Sequence, residues 1–198
     1  GWDHNHINAL TIAKIAQTCG IAALALHGRT RSDAYQGQAE YNTIAAVKAN
    51  VSIPVIANGD IDSPQKASTV LTKTKADGLM IGRAAQGYPW IFREINQFLS
   101  NNTIPAPPSI AEIYAILREH LESHYAFYGE HIGVRTARKH ISWYSRLLPK
   151  GEVLRQQANQ VDSCKKQLKV IDCFFTSLLE RDERLQYEKI YPIGYLAN

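Results

Sequence analysis

The chain has 198 residues, is 45% hydrophobic and 20% charged, and carries a formal net charge of +4. That length allows one or two domains with a sizeable core, and the composition is ordinary for a globular chain. Three cysteines (Cys19, Cys164 and Cys173) exclude a disulfide framework and lack the spacing of a metal site, while no apolar run reaches the ~20 residues that span a bilayer.

In chain order, Ala9, Ile12, Ala13 and Ala16 have helical spacing and predict a helix from about Asn5 to Thr18, stopped at Gly20. The apolar run from Ala22 to His27 predicts a first strand, and Arg29 to Gly37 a long polar loop. Tyr41 to Ala49 reads as a short helix with Ile44 and Val47 on one face. A second buried strand runs from Ile53 to its stop at Asn58-Gly59-Asp60. Asp62-Ser63-Pro64 has the pattern of a helix start, and a third strand begins at Gly78. Strand alternating with helix predicts a parallel sheet with helices packed outside.

After Gly82-Arg83 a turn leads into a helix expected to end near Leu99. Residues 101–108 are rich in Asn and Pro and read as a linker between a 1–100 unit and a 109–183 unit. Ser109 and Glu112 have capping-box spacing, followed by the stripe Ile110, Ile113, Leu117 and Leu121. Further helices are expected from Gly133 to Leu147, after Gly151, and from Val161 to Leu179, making a small helical bundle. Residues 184–198 read as a surface tail without an assigned role. Three strand signals are too few for a closed parallel barrel, and the chain begins Gly-Trp-Asp without Met, so a fragment of a longer protein is expected. The three cysteines are expected to be inert, with Cys164 and Cys173 on or near the apolar face of a helix.

The strand ends gather polar groups: His27-Gly28-Arg29-Thr30, Asn58-Gly59-Asp60 and Gly82-Arg83. Successive strand–helix units put them on one rim, where glycines let backbone approach an anion and Arg83 adds a delocalised charge. Asn58, Gly59, Asp60, Gly82 and Arg83 are therefore candidate phosphate-binding residues. The alternative is that these glycines only form tight turns. His27 is a candidate hydrogen-bonding or proton-transfer group, against a purely structural role. Arg29 and Arg31 are candidates for phosphate or RNA, with a solvated loop charge the alternative for Arg31, and Asp60 for a base or for fixing its own turn.

Between His131 and Lys169 there are nine basic and two acidic residues, a net of +7 against +4 for the whole chain, so the remainder carries −3. Trp143 and Tyr144 lie close to Arg138, Lys139 and His140. Basic groups interleaved with rings suit RNA backbone contact and base stacking; the alternative is a solvated helix face.

The run His27-Gly28-Arg29-Thr30, Ile53 to Ile61, Ala76 to Gly87 and Pro89-Trp90-Ile91-Phe92 strongly resembles the tRNA-dihydrouridine synthases, with the nearest likeness to the bacterial B-type branch. Arg135-Thr136-Ala137-Arg138-Lys139-His140 and Trp143-Tyr144 resemble that branch's helical domain, so the likeness runs to about Leu179. The resemblance implies an α/β plus α chain: the C-terminal part of an FMN-binding (β/α)8 TIM barrel, its last three strands, then a helical tRNA-binding domain. It implies FMN held through His27, Asn58, Gly59, Asp60, Gly82 and Arg83, with NADPH as reductant. It implies tRNA contacts from Arg29, Arg135, Arg138, Lys139 and His140. The reaction implied is reduction of uridine to 5,6-dihydrouridine, with hydride delivered to C6 and a proton from a cysteine to C5. That cysteine belongs to an earlier barrel loop, and none of the three here matches its motif; a flavin-contacting lysine falls upstream of Gly1. The 198 residues alone are expected neither to hold FMN tightly nor to reduce uridine. The expected setting is cytoplasmic and monomeric, with no membrane and no metal.

Two other readings share the strand-end loops or the basic segment: a different FMN- or phosphate-binding TIM-barrel oxidoreductase acting on a small molecule, and a non-catalytic RNA-binding module.

Overall fold

The computed structural model describes residues 1–179 together with Leu185 and Ile190; the tail expected at 184–198 otherwise lies outside the described residues. The chain forms two compact units. The first comprises Gly1–Ala85 and Ile91–Ile104, and the second Gln86–Trp90 and the described residues from Pro105.

In the first unit, β1 (Leu24–His27), β2 (Val55–Asn58) and β3 (Gly78–Met80) form a parallel sheet in the order β1-β2-β3. Helices α1 (Ala9–Thr18), α2 (Asn42–Lys48), α3 (Pro64–Thr74) and α4 (Ile91–Asn101) accompany it, with one 3-10 turn at Arg83–Ala85. The start of α3 is as read: Ser63 is an extended N-cap whose hydroxyl accepts the Lys66 N–H at 3.3 Å, and Pro64 follows where no N–H is needed. The sheet is tied at its entry by Asp77, which accepts the Val55 N–H and the Lys48 ammonium, each at 2.7 Å.

The three strands are not equally buried. Only β2 is buried, and only through Val55 and Ala57. Helices α2 and α3 pack against β2, and Ile44, Val47, Ala67 and Val70 form the core with it. Full burial of Ile44, Val47 and Val70 contributes roughly 1.5–3 kcal/mol each. Side chains alternate along a strand, so the opposite face carries Ala25, His27, Ile56, Asn58 and Met80. On that face Ala25, His27 and Met80 are exposed.

In the second unit, α5 (Ile110–Ser145), α6 (Gly151–Gln160) and α7 (Cys164–Leu179) pack on one another. Ser109 caps α5 by accepting the Glu112 N–H at 3.2 Å, and the Glu112 carboxylate accepts the Trp90 indole N–H at 2.8 Å. Helix α5 is not continuous. Gly129 has φ 71° and ψ 177°, a conformation open essentially only to glycine. His124 meets Thr136 and His120 meets His140, pairs both centred on residue 130. The limbs 110–128 and 130–145 therefore fold back as an antiparallel hairpin. The second limb begins earlier than the expected Gly133, because Gly129 makes the turn and no further breaker follows.

The core of this unit is Leu117, Leu121, Ile141, Leu154, Ile171 and Phe175. A buried amide ties it together: Gln167 Oε1 accepts the Tyr125 hydroxyl at 2.6 Å, and its Nε2 donates to the Ala158 carbonyl at 2.9 Å. Cys173 is exposed, contrary to the expected apolar-face position, whereas Cys164 is half-buried and Cys19 exposed. Among the described residues no helix is long and apolar enough to cross a membrane.

Candidate functional site

The carboxyl ends of the three strands come together as a polar rim. Parallel register aligns His27, Asn58 and Met80 in one row across the sheet. The Asn58 amide donates through Nδ2 to the Met80 carbonyl at 2.7 Å, which turns its Oδ1 toward His27 Nδ1, also at 2.7 Å. An amide oxygen only accepts, so His27 donates through Nδ1, which leaves Nε2 directed away from this contact. The Asn58 side chain thus orients His27 with both its ends.

One residue further on, Gly59 has φ 128°, and a Cβ there would lie 2.7 Å from the Ala39 side chain. The Tyr41 hydroxyl donates to the Gly59 carbonyl at 2.7 Å. Burial, with the nearby Asp60 and Asp62 charges, pushes the Tyr41 hydroxyl up to about 12, so it remains a donor.

Asp60 bridges two guanidinium groups. It accepts from Arg29 at 2.7 Å, from the Ala39 N–H at 2.8 Å and from Arg83 at 2.9 Å. Burial works against its charge, but the Arg29 hydrogen bond and the Ala39 N–H outweigh it and hold the carboxyl below its ordinary range. Held between Arg29, Arg83 and the Ala39 N–H, the Asp60 carboxylate orients both guanidinium groups. Its side chain departs from the expected role of fixing its own turn: the partners lie on other segments, although the backbone at Asp60 has φ 46°.

Arg29 departs from its expected contact with RNA. Its side chain is only 2% exposed, held by Asp60 and by the Gln36 and Gly37 carbonyls. Its Nη1 is buried with no hydrogen-bond partner among the described residues. Arg83 is different: its side chain is 60% exposed, with the guanidinium over the Tyr35 ring at 5.2 Å. Beside it, the space where a Gly82 Cβ would project is open. Two arginines against one carboxylate leave a net positive charge, and an exposed guanidinium beside open backbone fits a phosphate monoester.

The basic segment of the helical unit also separates into distinct roles. Arg135 and Lys139 are exposed and one helical turn apart, and the Lys139 ammonium lies 5.0 Å from the Trp143 ring centre. Arg138 is half-buried and donates to the Val161 carbonyl at 3.2 Å, with Nε buried. It is a brace between α5 and the segment before α7, not a free cation. His140 likewise departs from its expected place on an RNA face. It packs against His120 and His124, with ring centres 4.6 and 5.1 Å away. Burial, then the neighbouring His120, His124 and Lys139, lowers its pKa to about 4, so it brings no positive charge.

Sequence reading missed Tyr41, the bridging role of Asp60, and His120 with His124. The last pair had a signal in its spacing of four, which puts both on one helical face.

An α/β unit with an arginine-bearing polar rim at its strand ends is joined in one chain to a helical unit that carries a run of basic residues. The chain belongs to the dihydrouridine synthase family, whose model matches residues 1–179. It is 53% identical over 179 residues to a protein of Xanthomonas axonopodis pv. citri named tRNA-dihydrouridine synthase B, covering 90% of this chain and 54% of that one. Proteins of the same name from Pseudomonas aeruginosa and Vibrio cholerae are 53% and 51% identical, covering 88% and 90% of this chain and 53% and 55% of theirs. The chain thus spans about half the length of the curated relatives it matches.

Proposed function

We propose that these residues serve a flavin-dependent tRNA-dihydrouridine synthase, the first unit holding the phosphate end of FMN and the helical unit holding tRNA. The observation that carries this reading is the rim itself: an oriented His27, an open Gly82 and an exposed, Asp60-steered Arg83 at adjacent parallel strand ends, in a chain of this family.

In this reading β1 to β3 are the last three strands of an eight-stranded barrel, and the face bearing His27, Asn58 and Met80 lines its interior. Arg83 and the loop backbone at Gly59, Asp60 and Gly82 hold the phosphate. The Asp60 carboxylate, itself an anion, does not touch the phosphate but aims Arg83 from 2.9 Å. His27 offers Nε2 to flavin or to uracil. When bound, reduced FMN would supply the hydride for C6 of uracil, with NADPH as the source of reducing equivalents and a cysteine on an earlier barrel loop as the source of the proton for C5. Arg135 and Lys139 meet the tRNA backbone, and Trp143 offers a stacking surface. The target base leaves its stack at a cost of a few kcal/mol, offset by contacts in the pocket.

The test is dihydrouridine content, position by position, in tRNA from cells lacking the gene for this chain. Loss at a defined position, restored when the gene is returned, is expected. Unchanged content at every position overturns the reading and favours a small-molecule flavin enzyme.

A further inference from the structure

We propose that His120, His124 and His140 form a binding site for a divalent transition ion of the Zn²⁺ type, which clips the two limbs of α5 together. Each residue offers one ring nitrogen, and the three nitrogens lie within 4.8 Å of one another. Tetrahedral zinc holds its nitrogens at ~2.0–2.1 Å, which spaces them about 3.4 Å apart. Small side-chain rotations close that difference.

The placement is specific. His120 and His124 are one turn apart on the first limb, the spacing that presents two imidazoles to a single ion. His140 arrives from the second limb, brought opposite by the turn at Gly129. The site therefore exists only in the folded hairpin. An all-imidazole donor set suits zinc, nickel, cobalt or copper and not magnesium or calcium.

The surroundings supply the usual outer support. Thr136 donates its single proton to the Ile132 carbonyl at 2.8 Å, so its oxygen receives His124 Nε2–H at 2.7 Å. Histidines that bind metal commonly anchor their second nitrogen in this way. The rings of Tyr144, Tyr128 and Trp143 flank the cluster. The fourth ligand position is left for water, and the role is structural. This assignment departs from the expectation of no metal, which considered only the cysteines. It stands independently of the flavin and tRNA reading.

The experiment uses the 198-residue chain without an affinity tag, stripped with a chelator and titrated with CoCl2, then ZnCl2. One equivalent of Co²⁺ is expected to give the intense visible absorption of a tetrahedral ion, lost on adding Zn²⁺. The thermal midpoint is expected to rise with Zn²⁺ concentration, since the ion binds the folded hairpin. H120Q, H124Q and H140Q are each expected to weaken binding more than tenfold, and H131Q, at an exposed histidine outside the cluster, to leave it unchanged. Absence of stoichiometric binding, or binding that survives in the triple variant, overturns the site and leaves three rings packed edge to face. If a variant fails to fold, imidazole ¹⁵N spectra of the unaltered chain decide. Zn²⁺ shifts the nitrogens of these three residues and not those of His4, His6, His27 or His131, or the proposal is wrong.

Discussion

His27 Nδ1 lies 2.7 Å from Asn58 Oδ1, and that single contact across β1 and β2 occupies Nδ1 and orients the ring. The Met80 carbonyl orients the Asn58 amide, so the polarity of the contact is set by a third strand. His27→Ala and Asn58→Ala are therefore expected to lower dihydrouridine formation in cells by a similar factor, roughly 10- to 100-fold. Because Asn58 acts through His27, the double variant should be no worse than the worse single variant. Multiplying losses in the double variant would show that the two residues act separately.

Asp60 makes the first unit acid-sensitive. Its folded pKa lies below the ordinary carboxylate value, so between the two values the unfolded chain binds more protons. The stability it contributes is present above about pH 4, the unfolded carboxylate range, and is lost as pH falls through the folded value. Thermal melts of the chain and of Asp60→Asn between pH 3 and 6 should converge at the acid end. A constant gap at all pH values would rule out this charge linkage.

Neighbouring basic residues in α5 should behave differently. Arg138→Ala removes the bond to the Val161 carbonyl and is expected to destabilise the helical unit by about 1–3 kcal/mol. Lys139→Ala touches no such brace and should leave the melting temperature nearly unchanged. It should weaken tRNA binding instead and reduce the slope of log K against log salt by just under one. Equal effects of the two variants on stability would overturn the distinction.

The buried amide of Gln167 offers a test of the bundle. Gln167→Leu leaves the Tyr125 hydroxyl and the Ala158 carbonyl without a partner. Each buried polar group so orphaned costs about 1–3 kcal/mol, and at this chain size each kcal/mol lowers the midpoint by about 2–4 °C. A combined loss below ~2 °C by calorimetry would mean that water enters the core and replaces the amide.

Much of this was open to reading from the residues. Apolar runs ending in Gly beside a charged or polar residue marked all three strands, because a strand that stops at a tight turn favours a residue free of steric restraint. Ser63-Pro64 and Ser109 marked helix starts, because capping is a local exchange between a hydroxyl and an N–H three residues on. What did not show was which charges are already taken. Arg29 and Arg83 look alike in sequence, yet one is buried against Asp60 and the other exposed.

The same division holds for the chain as a whole. Local pattern alone determined that helices alternate with parallel strands, that the strand ends carry anion-binding residue types, and that positive charge concentrates after residue 131. Tertiary structure alone decided that Asn58 and Asp60 position neighbours through their side chains, that Arg138 braces the bundle, and that three histidines from two limbs meet. Those outcomes depend on groups up to 31 residues apart coming within hydrogen-bonding reach, as His27 and Asn58 do. Neither spacing nor composition encodes such proximity; it arises only when the backbone closes and each polar group must find its partner.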